Sequence, residues 1–410
     1  MRVLCVPRSA LGLLLMLAAQ AAPAFEHPGG PHTQAQLDQA RAAILAGEEP
    51  WLSAYADVVQ FAEEGLAEQP SPVAVFDSPG DEDPVRNAEM KENLKRDTEA
   101  AYYCALMAAL DIDLTPAARA DHANKTREIL VAWASTTLEI SGGALFPENG
   151  KLKMAYIGSA MLMAGDLILD DPGWTQSEKN QFLLWVKFIY RRNVVEIMDA
   201  SGNRGAWGLY AAMLADHLLD DAPKMQELEV RLREIIDEQV EPDGTLPDAM
   251  ARGEKSLWYT YFTLAPLTHA VETLRNDLGT DLYALVPPSG GTLLQGLHRF
   301  HAGVLDPTGW STIPQVLVPG GADDWGANLL FAMGHVYGEP GFVASATTPL
   351  ERRNGAWKEA DLFVPVSAEG IVVPLVPAVA YAWLATGLLV AGGIAVQRRA
   401  GWIRARSGAR

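Results

Sequence analysis

The sequence predicts an all-α fold built from antiparallel helical hairpins, with one transmembrane helix near the C-terminal end. Three observations carry this expectation. About eleven segments repeat apolar residues at three- and four-residue spacing. Short turns rich in Gly, Pro and Asp separate them. A run without charge over residues 371–396 is long enough to cross a bilayer. Hydrophobic residues make up 49% of the 410 and charged residues 20%, which excludes a disordered, collagenous or coiled-coil chain.

The periodic segments are 33–46, 51–67, 88–110, 116–140, 151–169, 176–198, 206–219, 224–240, 256–278, 292–304 and 325–337. Start signals agree with them. Thr115-Pro116 reads as an N-cap with proline in the first turn, and Thr175 to Glu178 as a capping box. Strand-like stretches are confined to 73–76 and 316–318. Stacked hairpins of this kind close into an α/α toroid or stay open as a solenoid, and periodicity alone does not choose. Residues 340–370 lack a helical period, and 341–370 reads as a stalk following a helical domain of residues 25–340.

The two ends point to export. Residues 1–24 read as a signal peptide: Arg2 and Arg8, an apolar run, then Ala22-Pro23-Ala24 as a cleavage site before Phe25. Arg398, Arg399, Arg404, Arg406 and Arg410 follow the apolar run, so 371–396 is expected to span the membrane with 397–410 as a basic cytoplasmic tail. The domain is then periplasmic or on the cell surface of a bacterium. The Val373-Pro374-Leu375-Val376-Pro377 stretch, the span and the terminal arginines also resemble Gram-negative C-terminal sorting signals, which a membrane protease trims.

Charge and cysteine content exclude further classes. A formal net charge of −19 is a poor match for nucleic acid, which needs clustered Lys and Arg. Without the two arginines of the leader and the five of the tail, −19 becomes −26. Two cysteines, Cys5 and Cys104, exclude a disulfide scaffold, and Cys104 is expected in the core. His298 and His301 are a possible metal pair, but no third ligand follows at a telling spacing. Neither a metal nor another cofactor is expected, and oligomeric state is left open.

Two stretches carry chemistry. Ser201-Gly202-Asn203-Arg204-Gly205-Ala206-Trp207-Gly208 sets Asn203 and Arg204 between glycines where a helix begins, an end whose free N–H groups suit an anion. After the Asp243-Gly244 turn, Arg252 precedes Tyr259 by seven residues, so a continuous helix would put both on one face. A guanidinium beside a phenol favours the phenolate.

In this order, about 50 residues apart, the two stretches resemble the alginate lyase domain of polysaccharide lyase family 5 and its relatives. His27-Pro28-Gly29 with residues 33–51, then 102–133, 173–190 and 243–283, are similar to further parts of that domain. The likeness covers roughly 27–315 and implies an α/α toroid that cleaves a uronate polymer by β-elimination, without a cofactor. It implies that Asn203 neutralises the carboxylate, that Arg252 is catalytic, and that Tyr259 is base and, in a syn elimination, acid. The family carries His where Arg204 stands. A guanidinium supplies charge and a forked donor set but no neutral base, which throws the proton transfers onto Tyr259. Lys255, Trp207, Tyr156, Lys153 and Arg299 are expected to line the substrate groove, and Lys151 to add positive charge.

Two rivals stay open. One is an inverting glycoside hydrolase on the same helical body, using two of Glu241, Asp243 and Asp248. The other is a non-catalytic polysaccharide-binding protein of an export system.

Overall fold

A computed structural model describes residues 25–49, 51–318 and 327–345. The expected signal peptide, membrane span and basic tail lie outside the described residues. Among the described residues, no helix is long and apolar enough to cross a membrane.

The chain opens with α1 (Gln34–Ala46) and α2 (Trp51–Ala67), then β1 (Val75–Ser78), α3 (Pro84–Leu110), α4 (Pro116–Thr136) and β2 (Glu139–Gly142). Next come α5 (Asn149–Tyr156), α6 (Ser159–Leu167), α7 (Gln176–Trp185), the single turn α8 (Arg192–Val194) and α9 (Asn203–Leu218). The last are α10 (Ala222–Gln239), α11 (Pro247–Met250), α12 (Ser256–Leu278), α13 (Leu293–Leu305), α14 (Ala327–Tyr337) and α15 (Pro340–Ser345). The expected caps are made. Thr115 accepts from Ala118 N, and Thr175 and Glu178 bond reciprocally.

Two layers follow from the burial pattern. Every residue of α6 is buried, as is every residue of α9 except Arg204. α12 is buried over most of Ser256–Leu274, and α3 over most of its second half. These four form an inner row, α3 against α6, α6 against α9, α9 against α12. Amphipathic α2, α4, α7, α10 and α13 cover them. A helix apolar all round must be buried on all sides, and one with a single apolar stripe must face water on the other. The order within the row is set by packing between helices far apart in sequence.

The differences from the sequence reading have local causes. The expected helix over 116–140 ends at Thr136, because Glu139–Gly142 pairs in parallel with β1, Val75 opposite Glu139. The segment 151–169 breaks at Ile157-Gly158 into α5 and α6. Residues 176–198 widen into π-type turns over Val186–Arg191 before α8. α9 starts at Asn203, earlier than expected. No strand forms over 316–318. The stalk reading is corrected where it begins. Pro340–Ser345 is helix α15, whose buried Phe342 sits edge-on to His298 and His301 of α13. His301 also meets Ser345 Oγ at 2.7 Å and His298 meets Glu339 at 3.4 Å, so this pair fastens α15. Cys104 is buried and free, its thiol pushed up to about 12 by burial.

Candidate functional site

The inner helices α9 and α12 pack side by side, and both candidate stretches sit at their N-terminal ends. Gly202 caps α9 at φ +67°, with Asp248 of α11 directly beside its α-carbon. Gln239 of α10 donates to the Gly202 carbonyl at 3.1 Å. Gly205 lets the turn cross close above, since a Cβ there would meet the Ala200 carbonyl oxygen at 2.1 Å. Asn203 is thereby held, buried, in the first turn, and Arg204 points toward solvent. The Arg204 guanidinium donates to Glu148 at 3.3 Å, a pair with 39% and 43% side-chain exposure.

The Arg252/Tyr259 pair is made, but not on one helix face. Arg252 precedes a 3₁₀ turn (Gly253–Lys255) with Gly253 at φ +59°, and α12 starts only at Ser256. The chain folds back so that the Arg252 guanidinium carbon lies 4.6 Å from the centre of the Tyr259 ring. Gln315 fixes this turn. Its carbonyl oxygen accepts from Leu257 N at 2.9 Å and its amide donates to the Gly253 carbonyl at 3.1 Å. Val316 N donates to the Glu254 carbonyl at 2.9 Å.

Aromatic rings floor the pair. Trp258 is edge-on to Tyr259 and stacked on Phe262 at 4.5 Å. Tyr156, at the end of α5, lies edge-on to Phe262 and packs against Trp207 of α9. Burial pushes the Tyr156 phenol above its usual range, with Tyr259 nearby adding to the effect. Tyr156 therefore stays a protonated donor.

The other expected groove residues separate. Trp207 is corrected: it is fully buried, because α9 is an inner helix, and supports Tyr156 from behind. Lys153 is corrected as well. It is 6% exposed and donates to Ser78 and Asn87, at the junction of β1 and α3. Lys151 pairs with Glu196. Arg299 stacks on Trp310 at 4.8 Å, and Trp310 in turn donates to Ser256 at the start of α12. Lys255 is exposed beside the Arg252 turn. Glu148 and Gln315 are additions of the fold. They come from loops, where no periodicity marks them. Of the rival carboxylates, Glu241 and Asp248 are exposed, and Asp243 accepts from Thr245 N within its own turn.

A family model for alginate lyase matches residues 54–310. The chain belongs to the alginate lyase family. It is thereby a polysaccharide lyase. No curated relative matches it at a significant level. Solved structures share its fold. An alginate lyase from Bacteroides ovatus aligns with TM-score 0.64 and 17% identity, over 83% of this chain and 100% of that one. Alginate lyase A1-III complexed with a tetrasaccharide aligns with TM-score 0.59 and 17% identity, over 81% and 95%. Alginate lyase A1-III from Sphingomonas species A1 aligns with TM-score 0.57 and 16% identity, over 79% and 94%.

Proposed function

We propose that this lyase cleaves a uronate-containing, alginate-like exopolysaccharide by syn β-elimination at the N-terminal ends of α9 and α12. The observation that carries the reading is the Arg252 guanidinium stacked on the half-buried Tyr259 ring, beside the helix that Asn203 opens. In the reaction, Asn203 and Arg204 hold the uronate carboxylate at the positive end of the α9 dipole. The Tyr259 phenolate takes the C5 proton. Electrons pass through the enolate-like carboxylate, the C4–O bond breaks and a C4=C5 double bond forms. The leaving oxygen takes the proton from Tyr259, which restores the phenolate. Donors aimed at the carboxylate stabilise the intermediate charge, and one phenol poised at the reacting carbon serves both transfers. No cofactor takes part.

The same reading closes the helical layers into an α/α toroid and places the lyase on the periplasmic or outer face of a bacterial envelope, tethered by residues 371–396. The test is turnover of a panel of uronic acid polymers by the purified chain. Ultraviolet absorbance from the new double bond should rise, and Tyr259→Phe should abolish the rise. Absence of unsaturated product across the panel, or full activity in Tyr259→Phe, refutes the reading.

A further inference from the structure

A second polar centre lies at the opposite end of the same helices. Two imidazoles and a carboxylate, from His27, His217 and Asp166, bring one ligand atom each within 4.8 Å of one another. We propose that these three residues bind a zinc-class divalent cation, which clamps the segment Phe25–Gly30 onto the ends of α6, α9 and α12.

The donor spacing suits such an ion. His27 Nδ1 is 2.5 Å and His217 Nε2 is 3.1 Å from the same oxygen of Asp166. Tetrahedral zinc with bonds of 2.0–2.1 Å holds its ligand atoms about 3.3 Å apart; both separations are shorter, and each needs to open by less than about 1 Å to admit the ion. Two imidazole nitrogens and one carboxylate oxygen select a transition metal over calcium or magnesium, which prefer oxygen throughout.

Two of the three donors have an outer partner. His217 Nδ1 donates to Asp277 at 2.9 Å, leaving Nε2 toward the centre. His27 Nε2 makes no hydrogen bond and lies 3.5 Å from Asp220. Gly29 N–H donates to the second oxygen of Asp166 at 2.9 Å. Metal-bound histidines are oriented in this way, with the far nitrogen on a carboxylate.

Electrostatics points in the same direction. Asp166, His217 and Asp277 occupy the last turns of α6, α9 and α12, where the helix dipoles are negative. The side chains of Asp166 and Asp277 are only 4% and 3% exposed, and the side chains paired with them are histidines. Positive charge must come from protons on the imidazoles or from an ion that replaces those protons. A divalent cation supplies the charge of two protons at one point.

The chain is built to close on this centre. Phe25 stacks on the His217 ring at 5.6 Å. A Cβ on Gly29 would meet His217 Cε1 at 2.9 Å, and one on Gly30, at φ +54°, would meet the same ring at 3.3 Å. Only glycine lets this backbone lie flat on the imidazole. His217 is fourteen residues beyond Asn203 on α9, about 21 Å along its axis. An ion there is structural and does not touch the sugar.

The purified full chain, gel-filtered in chelator-free buffer, should carry about one zinc-class ion per molecule by mass spectrometry. Tyr259→Phe should keep it, and His27→Gln and Asp166→Asn should each lower occupancy tenfold or more. Cobalt exchanged into the wild type should give the visible bands of a tetrahedral nitrogen–oxygen site. If the variants fail to fold, wild type treated with chelator decides: restored zinc should raise its unfolding temperature by several degrees. Absence of metal together with no response to zinc overturns the proposal, leaving a network held by protons. Metal that persists undiminished in folded His27→Gln and Asp166→Asn overturns it too.

Discussion

Glu148→Gln should tighten substrate binding while leaving the chemical step unchanged. In the free enzyme the Arg204 guanidinium is engaged by Glu148 at 3.3 Å, with both side chains about two-fifths exposed. Two unit charges at that distance attract by about 1.3 kcal/mol in bulk water. Salt and the cost of ordering two long side chains bring an exposed pair to about 1 kcal/mol or less. A uronate carboxylate that takes Arg204 must first displace this partner. Removing the competing charge should therefore lower KM by up to about fivefold, with kcat within about twofold. Loss of a negative charge beside a polyanion acts in the same direction. Initial rates of double-bond absorbance at several polymer concentrations separate the two parameters, and Glu148→Asp is the control that keeps the charge. A raised KM in Glu148→Gln would refute the reasoning, because Glu148 would then be holding Arg204 in its binding position.

Arg252→Lys keeps the charge but loses the flat face that covers the Tyr259 ring, so kcat should fall about twofold to thirtyfold with an unchanged melting temperature; equal kcat would remove Arg252 from the mechanism. Burial holds the Lys153 ammonium at about 8 against its usual 10.5. The folded chain loses this proton first, so between those pH values the unfolded chain binds more protons and stability rises with pH. The gain is up to about 3 kcal/mol. Denaturant unfolding of wild type and Lys153→Met should therefore diverge from pH 8 to pH 10, and a constant difference would contradict the assignment. Gly150→Ala should cost about 1–3 kcal/mol, since its Cβ would sit 1.8 Å from the Ser141 carbonyl oxygen; an unchanged denaturation midpoint would show that α5 can slide away from β2.

The helices were legible because burial on one or all sides leaves a period that side chains must follow. α12 falls on the expected residues, and α10 starts within two residues of expectation. The Asn203 turn stood out by its glycines, and the family resemblance, more than spacing, singled out Arg252 and Tyr259. Their geometry was not legible. A continuous helix would unite Arg252 with Tyr259, but Gly253 in the left-handed region breaks it, and the contact forms by a fold-back. Trp207 and Lys153 misled for one reason. An indole and an ammonium near an active stretch suit a sugar groove, yet exposure is decided by which helices become inner ones. That is a property of packing between distant segments. The His27 centre was invisible, because Asp166 and His217 lie 139 and 190 residues beyond His27 and no local spacing marks them.

The placement of opposite chemistries at opposite ends of α9 and α12 also bears on how an acidic lyase holds a polyanion. Asn203 is the first residue of α9 and Tyr259 the fourth of α12, so both lie where the helix dipoles are positive. Arg204, Arg252 and Lys255 add charge at the same end. Buried Asp166 and Asp277 lie at the other end, where the dipoles are negative and cationic partners gather. Charges buried at one end of a helix and screened by histidine neighbours contribute little field across its length. A net charge of −19 repels the polymer at long range, but salt screens that repulsion beyond about 8 Å. Inside that distance the helix starts and the guanidiniums decide. Local dipole direction can then favour a carboxylate where total charge opposes it, and this requires the inner helices to present their N-terminal ends together.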